Sequence, residues 1–279
     1  MTNNIRSKID TFVKAHNPLL YILTPCYGSM CYVNYMVCLT DTIQLLNAHN
    51  IPVKVEYCRN DSLVPRARNN LIARAMSNSN MTHVLFIDTD ITWKPIDVLK
   101  LLLSEKLFIG GVYPLKKLQW DRLEETDVIN RWKEKKENRP HLASIPTSTF
   151  IENHLLNYNL NPLSNGESNK IENNLIKVRH MATGFMMLSR KTIEYMQTAF
   201  PSTKYKDDVG FLKADENKHA YALFDCAIVN EHYLSEDWLF SERWINMGGD
   251  VYADITIDLT HTGIHDFKGS ILSKLDINS

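Results

Sequence analysis

Short apolar runs alternate with helically spaced ones through the first 115 residues. "LLYILT" (19–24) has the length and continuity of a buried strand. Residues 31–48 follow, with Val33, Val37, Ile43 and Leu46 among the apolar positions of an expected helix. "IPVKVEY" (51–57) alternates apolar and polar residues as a strand does. "PRARNNLIARAM" (65–76) predicts a helix, with Pro65 suited to a first turn and Ala67, Leu71, Ala75 and Met76 on one side. "HVLFID" (83–88) is a continuously apolar strand of the parallel-sheet kind. A helix over 95–104 and a strand over 107–113 continue the series. Strands alternating with helices imply βαβ units, hence an α/β fold with a mainly parallel central sheet flanked by helices. Ligands of such sheets bind beyond the carboxyl ends of the strands, and Thr24, Asp61 and Asp88 each follow such an end.

The pattern breaks at 116–176, which is polar and irregular. There "RWKEKKENRP" reads as the solvated face of a helix, and the Asn-rich stretch "NYNLNPLSNGESNKIENN" reads as a loop. Regularity returns over 180–196 as strand, turn at Gly184, strand and helix. A helix over 235–249 stops at a glycine pair, and a closing strand is expected over 250–263. No internal repeat is visible. The expectation is one domain over 1–279, with an insert at about 116–176.

Composition narrows the function. Apolar residues make up 44% of the 279, enough for a sizeable core. With 31 basic against 32 acidic residues, the near-neutral charge argues against nucleic-acid binding through bulk positive charge. Cys26, Cys31, Cys38, Cys58 and Cys226 form no C-x-x-C pair, which speaks against a zinc site or disulfide framework and for a reducing compartment. The N-terminal residues carry no long apolar core of the signal-peptide kind, and no stretch approaches the roughly 20 apolar residues of a membrane span. These features lead to the expectation of a soluble, cytoplasmic protein.

The chemistry concentrates where the third strand ends. Asp88 and Asp90 point to the same side of an extended chain. Two close carboxylates repel unless one is protonated or a cation lies between them. Hard oxygen ligands suit Mg2+ or Mn2+, which take phosphate oxygens as further ligands. The alternative is a pair of solvated turn aspartates, with Asp90 as a helix cap. No P-loop, no G-x-G-x-x-G after the first strand, no G-x-S-x-G and no H-E-x-x-H is present. Without a glycine-rich phosphate loop, a cation is needed to grip a diphosphate.

Several stretches, in order, resemble glycosyltransferases of the GT-A fold (Rossmann-like, nucleotide-diphospho-sugar transferases), of the branch found in bacteria, phages and large viruses. They are "TPCYGSMCYVNY" (24–35), "NDSLVPRARNNLIA" (60–73), "HVLFIDTDITWKP" (83–95), "IGGVYPLKK" (109–117), "ATGFMMLSRK" (182–191), "LSEDWLFSERWINMGGDVYAD" (234–254) and "LTHTG" (259–263). Residues 118–175 stay unmatched. The resemblance implies a nucleotide-binding half at 17–115 and an acceptor half at 177–265. It implies that Asp88 and Asp90 are the D-x-D motif, holding Mn2+ or Mg2+ against the donor diphosphate beside Thr89, with His261 as a further metal ligand. Thr24, Pro25 and Tyr27 match the first nucleotide-contacting loop. Asp61, Arg66 and Arg68 match the nucleotide and diphosphate side, and Gly111 the sugar's surroundings. Glu236 and Asp237 match the acidic pair near the acceptor, with Asp237 the first choice of general base. The implied donor is a UDP- or GDP-sugar, and the acceptor a hydroxyl of a glycan, glycoprotein or glycolipid. A transferase acting on hydroxymethylated DNA bases, a nucleotidyltransferase and a non-catalytic sugar-binding protein are the alternatives.

Some of these residues also have structural readings. Acids at 236–237 suit the first turn of a helix capped by Ser235. Gly110 and Gly111 permit a close approach of chains or leave room for a sugar. Trp238 and Trp244 read as core residues of their helix, while Tyr113 and Trp120 read as core or as sugar-stacking aromatics. His265, four residues after His261, gives H-x-x-x-H spacing, but Gly263 between them disfavours the helix a zinc pair would need.

Overall fold

The computed structural model describes residues 3–123, 128–139, 142, 144–163, 170–263 and 266–272. The alternation read from the sequence is present: β1 (Leu20–Cys26), α2 (Val33–Ala48), β2 (Val53–Arg59), α3 (Val64–Ser77), β3 (His83–Ile87), β4 (Ile91–Thr92), α4 (Pro95–Leu103) and β5 (Phe108–Gly111). A helix that the sequence reading did not anticipate, α1 (Asn3–His16), precedes them. Ile9 and Phe12 are its buried positions, and they dock on the core that α2 and α4 share.

The second half supplies β9 (Leu175–His180), β10 (Phe185–Ser189), α7 (Arg190–Ala199), β11 (Ala227–Val229), β12 (His232–Leu234), α8 (Glu236–Asn246) and β13 (Tyr252–Asp254). With β8 (Asn161–Pro162), the central sheet has the order β2-β1-β3-β10-β5-β13-β9-β8. Six strands run one way, and β10 and β9 are reversed. The two reversals make the mainly parallel sheet mixed at β10 and β9. Along β3, Val84 and Phe86 face the core under α3, α7 and α8, while Leu85 and Ile87 face the core under α1, α2 and α4. The result is a helix–sheet–helix sandwich. Among the described residues no helix is long and apolar enough to cross a membrane.

The expected closing strand is two separate pieces. Asp254 turns the chain after β13 by accepting from Thr256 N–H and Oγ1 at 2.8 and 2.7 Å. The chain then forms β14 (Thr260–His261) in a small second sheet, paired antiparallel with β4 and with β15 (Phe267–Lys268). The glycine pair after α8 behaves as expected. Gly248, at φ 87°, and Gly249 donate to Ile245 and Trp244 carbonyls at 2.8 and 3.0 Å.

The described part of the insert is more ordered than its polarity suggests. It contains β6 (Pro114–Leu118), α5 (Val128–Asn138), α6 (Thr147–Leu155) and β7 (Leu156–Tyr158), with β6 and β7 paired. Trp132 and Phe150 stack at 4.2 Å in a satellite core with Val128 and Leu142. The charge run lies on α5, where only Val128 and Trp132 are buried, so it does form a solvated helix face.

Two stability predictions arise here. A Cβ at Gly110 would lie 2.5 Å from both the Phe185 carbonyl oxygen and Met181 Sδ. Gly110→Ala is therefore expected to destabilise by roughly 1–3 kcal/mol in urea titration. His83, at the start of β3, is held neutral: burial first, then the charge of His16, push its pKa from 6.5 to about 4. The unfolded chain then binds the extra proton between those values, so stability is full above pH 6.5 and falls as pH drops toward 4. The loss is up to roughly 3 kcal/mol, and denaturation of His83→Gln across that window should remove most of it.

Candidate functional site

The site lies at the carboxyl end of β3, where the chain turns through 88–90 before β4. Asp88 follows the last strand residue, and its N–H donates to the Gly184 carbonyl at 3.2 Å. The two aspartates are compensated by side-chain cations from elsewhere in the chain. Arg68 Nη2 lies 3.0 Å from Asp88 Oδ1, and its Nε lies 3.4 Å from Glu236 Oε1. Lys116 Nζ lies 2.6 Å and His261 Nε2 3.4 Å from Asp90 Oδ2.

Arg68 is buried, 3% exposed, beneath the rim on α3, with Phe86 against its guanidinium at 5.3 Å. Burial acts to lower its pKa, but the charges of Asp88 and Glu236 outweigh that and raise it, so the group stays cationic. Its Nη1 is buried without a hydrogen-bond partner among the described residues. "RARNN" is polar in sequence, yet Arg68, Asn69 and Asn70 are all buried. The segment 205–224 covers the two asparagines: Asn69 exchanges hydrogen bonds with the Phe224 backbone at 2.6 and 2.9 Å, and Asn70 receives one from Tyr205.

Asp90 meets His261 because β14 pairs with β4, in the register His261↔Ile91 and Thr260↔Thr92. The Thr262 N–H donates to the Asp90 carbonyl at 2.8 Å and fixes the turn. Burial raises the Asp90 carboxyl, but the hydrogen bonds and charges of His261 and Lys116 more than reverse this and leave it below the usual carboxylate range. His261 Nδ1 lies 2.9 Å from the Pro114 carbonyl. That oxygen can only accept, so Nδ1 carries a hydrogen, and Nε2, turned toward Asp90, carries either a second hydrogen or a lone pair open to a metal. A lone pair facing a carboxylate is stable only with a cation between them, either a proton or a metal. A backbone carbonyl holding the far nitrogen is also the usual support of a ligating histidine.

The donor types, two carboxylates and an imidazole, suit Mn2+ or Mg2+. The 3.4 Å between Asp90 Oδ2 and His261 Nε2 is close to the roughly 3 Å edge between adjacent donors of an octahedral ion bound at about 2.1 Å. The residues therefore fit a divalent ion in type and in this one spacing. Among the described residues no three Asp, Glu, His or Cys side chains already form a metal-holding group, and Asp88 is paired with Arg68. His265 lies outside the described residues.

The other expected residues divide between rim and core. Thr24 lies within β1, not after it; it is fully buried and shares a 2.6 Å hydrogen bond with Tyr35, so its side chain serves the core. Pro25 is also within β1 and half-buried, whereas Tyr27 stands 71% exposed in the turn after it, with Gly28 at φ 72°. Asp61 and Arg66 bind each other in a two-pronged pair at 3.0 and 2.8 Å, and Asp61 also caps the Leu63 N–H. Burial raises the Asp61 carboxyl, and the Arg66 hydrogen bonds more than offset that and lower it. The Thr89 carbonyl accepts from Tyr32 N–H at 3.2 Å, joining the loop after β1 to the acidic turn. Gly111 leaves no room for a sugar: a Cβ there would lie 2.9 Å from Ile257 Cγ2 and 3.0 Å from Leu259 and Phe185, so its smallness serves packing.

At the start of α8, Glu236 turns to Arg68. Asp237 Oδ1 accepts from the Ser235 hydroxyl and from the Trp238 N–H, leaving Oδ2 without a hydrogen-bond partner among the described residues. Trp244 is core, while Trp238 is half-buried and stacks on His180 at 4.2 Å. Trp120 is 60% exposed.

Sequence reasoning left Tyr113 undecided and gave Lys116 no role. Tyr113 is the floor of the site. Its ring meets His261 edge-on at 5.1 Å, and a Cβ at Gly184 would lie 2.8 Å from that ring, which is why glycine stands there. Burial first, then the charge of Asp88, raise its phenol pKa. The stretch "IGGVYPLKK" carried the signal, because the strand that ends at Gly111 delivers the next residues to the same rim.

No family model matches the chain, and no curated protein matches it in sequence. Among solved structures, the crystal structure of A197 from STIV aligns with 88% of this chain and 86% of its own, at 13% identity and a TM-score of 0.40.

Proposed function

We infer that the chain is a metal-dependent glycosyltransferase of the GT-A kind, moving a sugar from a UDP- or GDP-sugar to a hydroxyl acceptor on a glycan, glycoprotein or glycolipid. The meeting of Asp90 with His261, two residues far apart in sequence, is the observation that most supports this reading. In it, Asp88, Asp90 and His261 hold Mn2+ or Mg2+, which when bound neutralises the departing diphosphate as a Lewis acid.

The chain's own groups do the rest. Arg68 pairs with both Asp88 and Glu236 and fixes the two carboxylates at the rim. Asp237, oriented through Oδ1, takes the acceptor hydroxyl's proton on Oδ2 as general base. Tyr113 packs beneath the site against the His261 ring. Tyr27 offers an exposed ring to the nucleotide base.

A screen of UDP- and GDP-sugars with Mn2+, following the released nucleoside diphosphate, tests the reading. Release that disappears in EDTA supports it. Pyrophosphate release would indicate a nucleotidyltransferase, and no turnover of any sugar nucleotide would contradict the proposal.

A further inference from the structure

The strand β6 opens the segment that sequence reasoning left without a role, and it sends one group to His261 and one to Asp90. The Pro114 carbonyl fixes the His261 ring, and Lys116 sets its ammonium on Asp90 Oδ2. That oxygen is the one His261 Nε2 approaches. An ammonium and a divalent ion cannot share it, since two cations a few ångströms apart repel strongly at a partly buried site. Lys116 is not locked in place: its side chain is about a third exposed, on a flexible four-carbon stem.

We propose that Lys116 is a tethered counter-ion: it holds Asp90 in the free protein, yields that oxygen to the divalent ion, and then pairs with an oxygen of the donor diphosphate. The inference rests on the metal and donor reading above. Metal binding releases the ammonium to the diphosphate, and the diphosphate draws the ammonium off Asp90. Each ligand therefore strengthens the other by the same factor. Arg68 does not serve this way, because it is buried between two carboxylates.

The test is calorimetric Mn2+ titration of the full chain, alone and with UDP or GDP. Lys116→Met keeps the length of the side chain and removes its charge. It should bind Mn2+ alone about fivefold tighter than wild type, the scale of a partly exposed ion pair. In saturating Mn2+ it should bind UDP or GDP about tenfold weaker, through loss of a charge-assisted contact. Lys116→Gln carries the same expectation, and Lys116→Arg should keep the wild-type pattern. A merely structural lysine would give weaker Mn2+ binding on removal, not tighter. Equal or weaker Mn2+ binding in folded Lys116→Met or Lys116→Gln, with wild type binding Mn2+, overturns the role of Lys116 alone. A wild-type chain that binds no Mn2+ with or without nucleotide overturns the donor reading, and this inference with it.

Discussion

Asp90→Ala is expected to lower turnover of the sugar nucleotide by about 10³-fold, the scale seen when one element of charge stabilisation is removed from an active site. The substitution strips the oxygen on which Lys116 and His261 converge. It leaves the turn intact, because the Thr262 N–H bonds the Asp90 backbone carbonyl and not its side chain. Melting should therefore stay within a few degrees of wild type while steady-state release of nucleoside diphosphate collapses. Asp88→Ala should act in the same direction and leaves Arg68 paired with Glu236 alone. Activity within tenfold of wild type in Asp90→Ala would remove the acidic turn from the mechanism.

Asp237→Asn should lower turnover by about 10²–10⁴-fold, the contribution of a positioned general base, with donor affinity changed no more than about twofold. Asparagine can still accept from Ser235 and Trp238 through its carbonyl oxygen, so the side chain keeps its orientation. Only the proton-accepting oxygen is replaced, by an amide nitrogen. Glu236→Gln makes a contrasting variant, because Glu236 is committed to Arg68, so its loss should disturb binding and stability as well as turnover. A parallel loss of turnover and donor affinity in Asp237→Asn would assign Asp237 to binding instead. Both experiments follow the initial rate of nucleoside diphosphate release and titrate the nucleotide separately.

The periodic part of the fold was legible because each element of 19–113 carries its own local pattern. β3 is a run of apolar residues, and α3 begins with a proline in its first turn. What was not legible depends on partners brought by the topology. "RARNN" is polar in sequence, and the burial of its asparagines follows from the covering segment 205–224. The closing strand looked continuous, and Asp254 breaks it through hydrogen bonds to Thr256 that no apolar pattern records.

The site shows the same division. Asp88 and Asp90 were visible as a charged stop to an apolar strand, and the resemblance singled out His261. The two acids were expected to need a cation, and which side chains supply one, Arg68 and Lys116, was not legible because their proximity depends on α3 and β6 reaching the same rim. Gly111 had two readings, a close approach of chains or room for a sugar, and Ile257 and Leu259 take up the space beside it. The apolar pattern ended the first strand at Thr24 and the resemblance placed Thr24 in a loop, whereas pairing with β2 carries β1 on to Cys26.

The central claim is that Asp88, Asp90 and His261 act together to bind a divalent ion and, through it, a nucleoside diphosphate. Titration of UDP and GDP into wild type and His261→Ala, each with Mn2+ and with EDTA, tests it most directly. Nucleotide should bind wild type only when Mn2+ is present, and His261→Ala should lose most of that metal-dependent affinity while keeping its fold. Equal nucleotide affinity with and without Mn2+, or an unchanged His261→Ala, would contradict it.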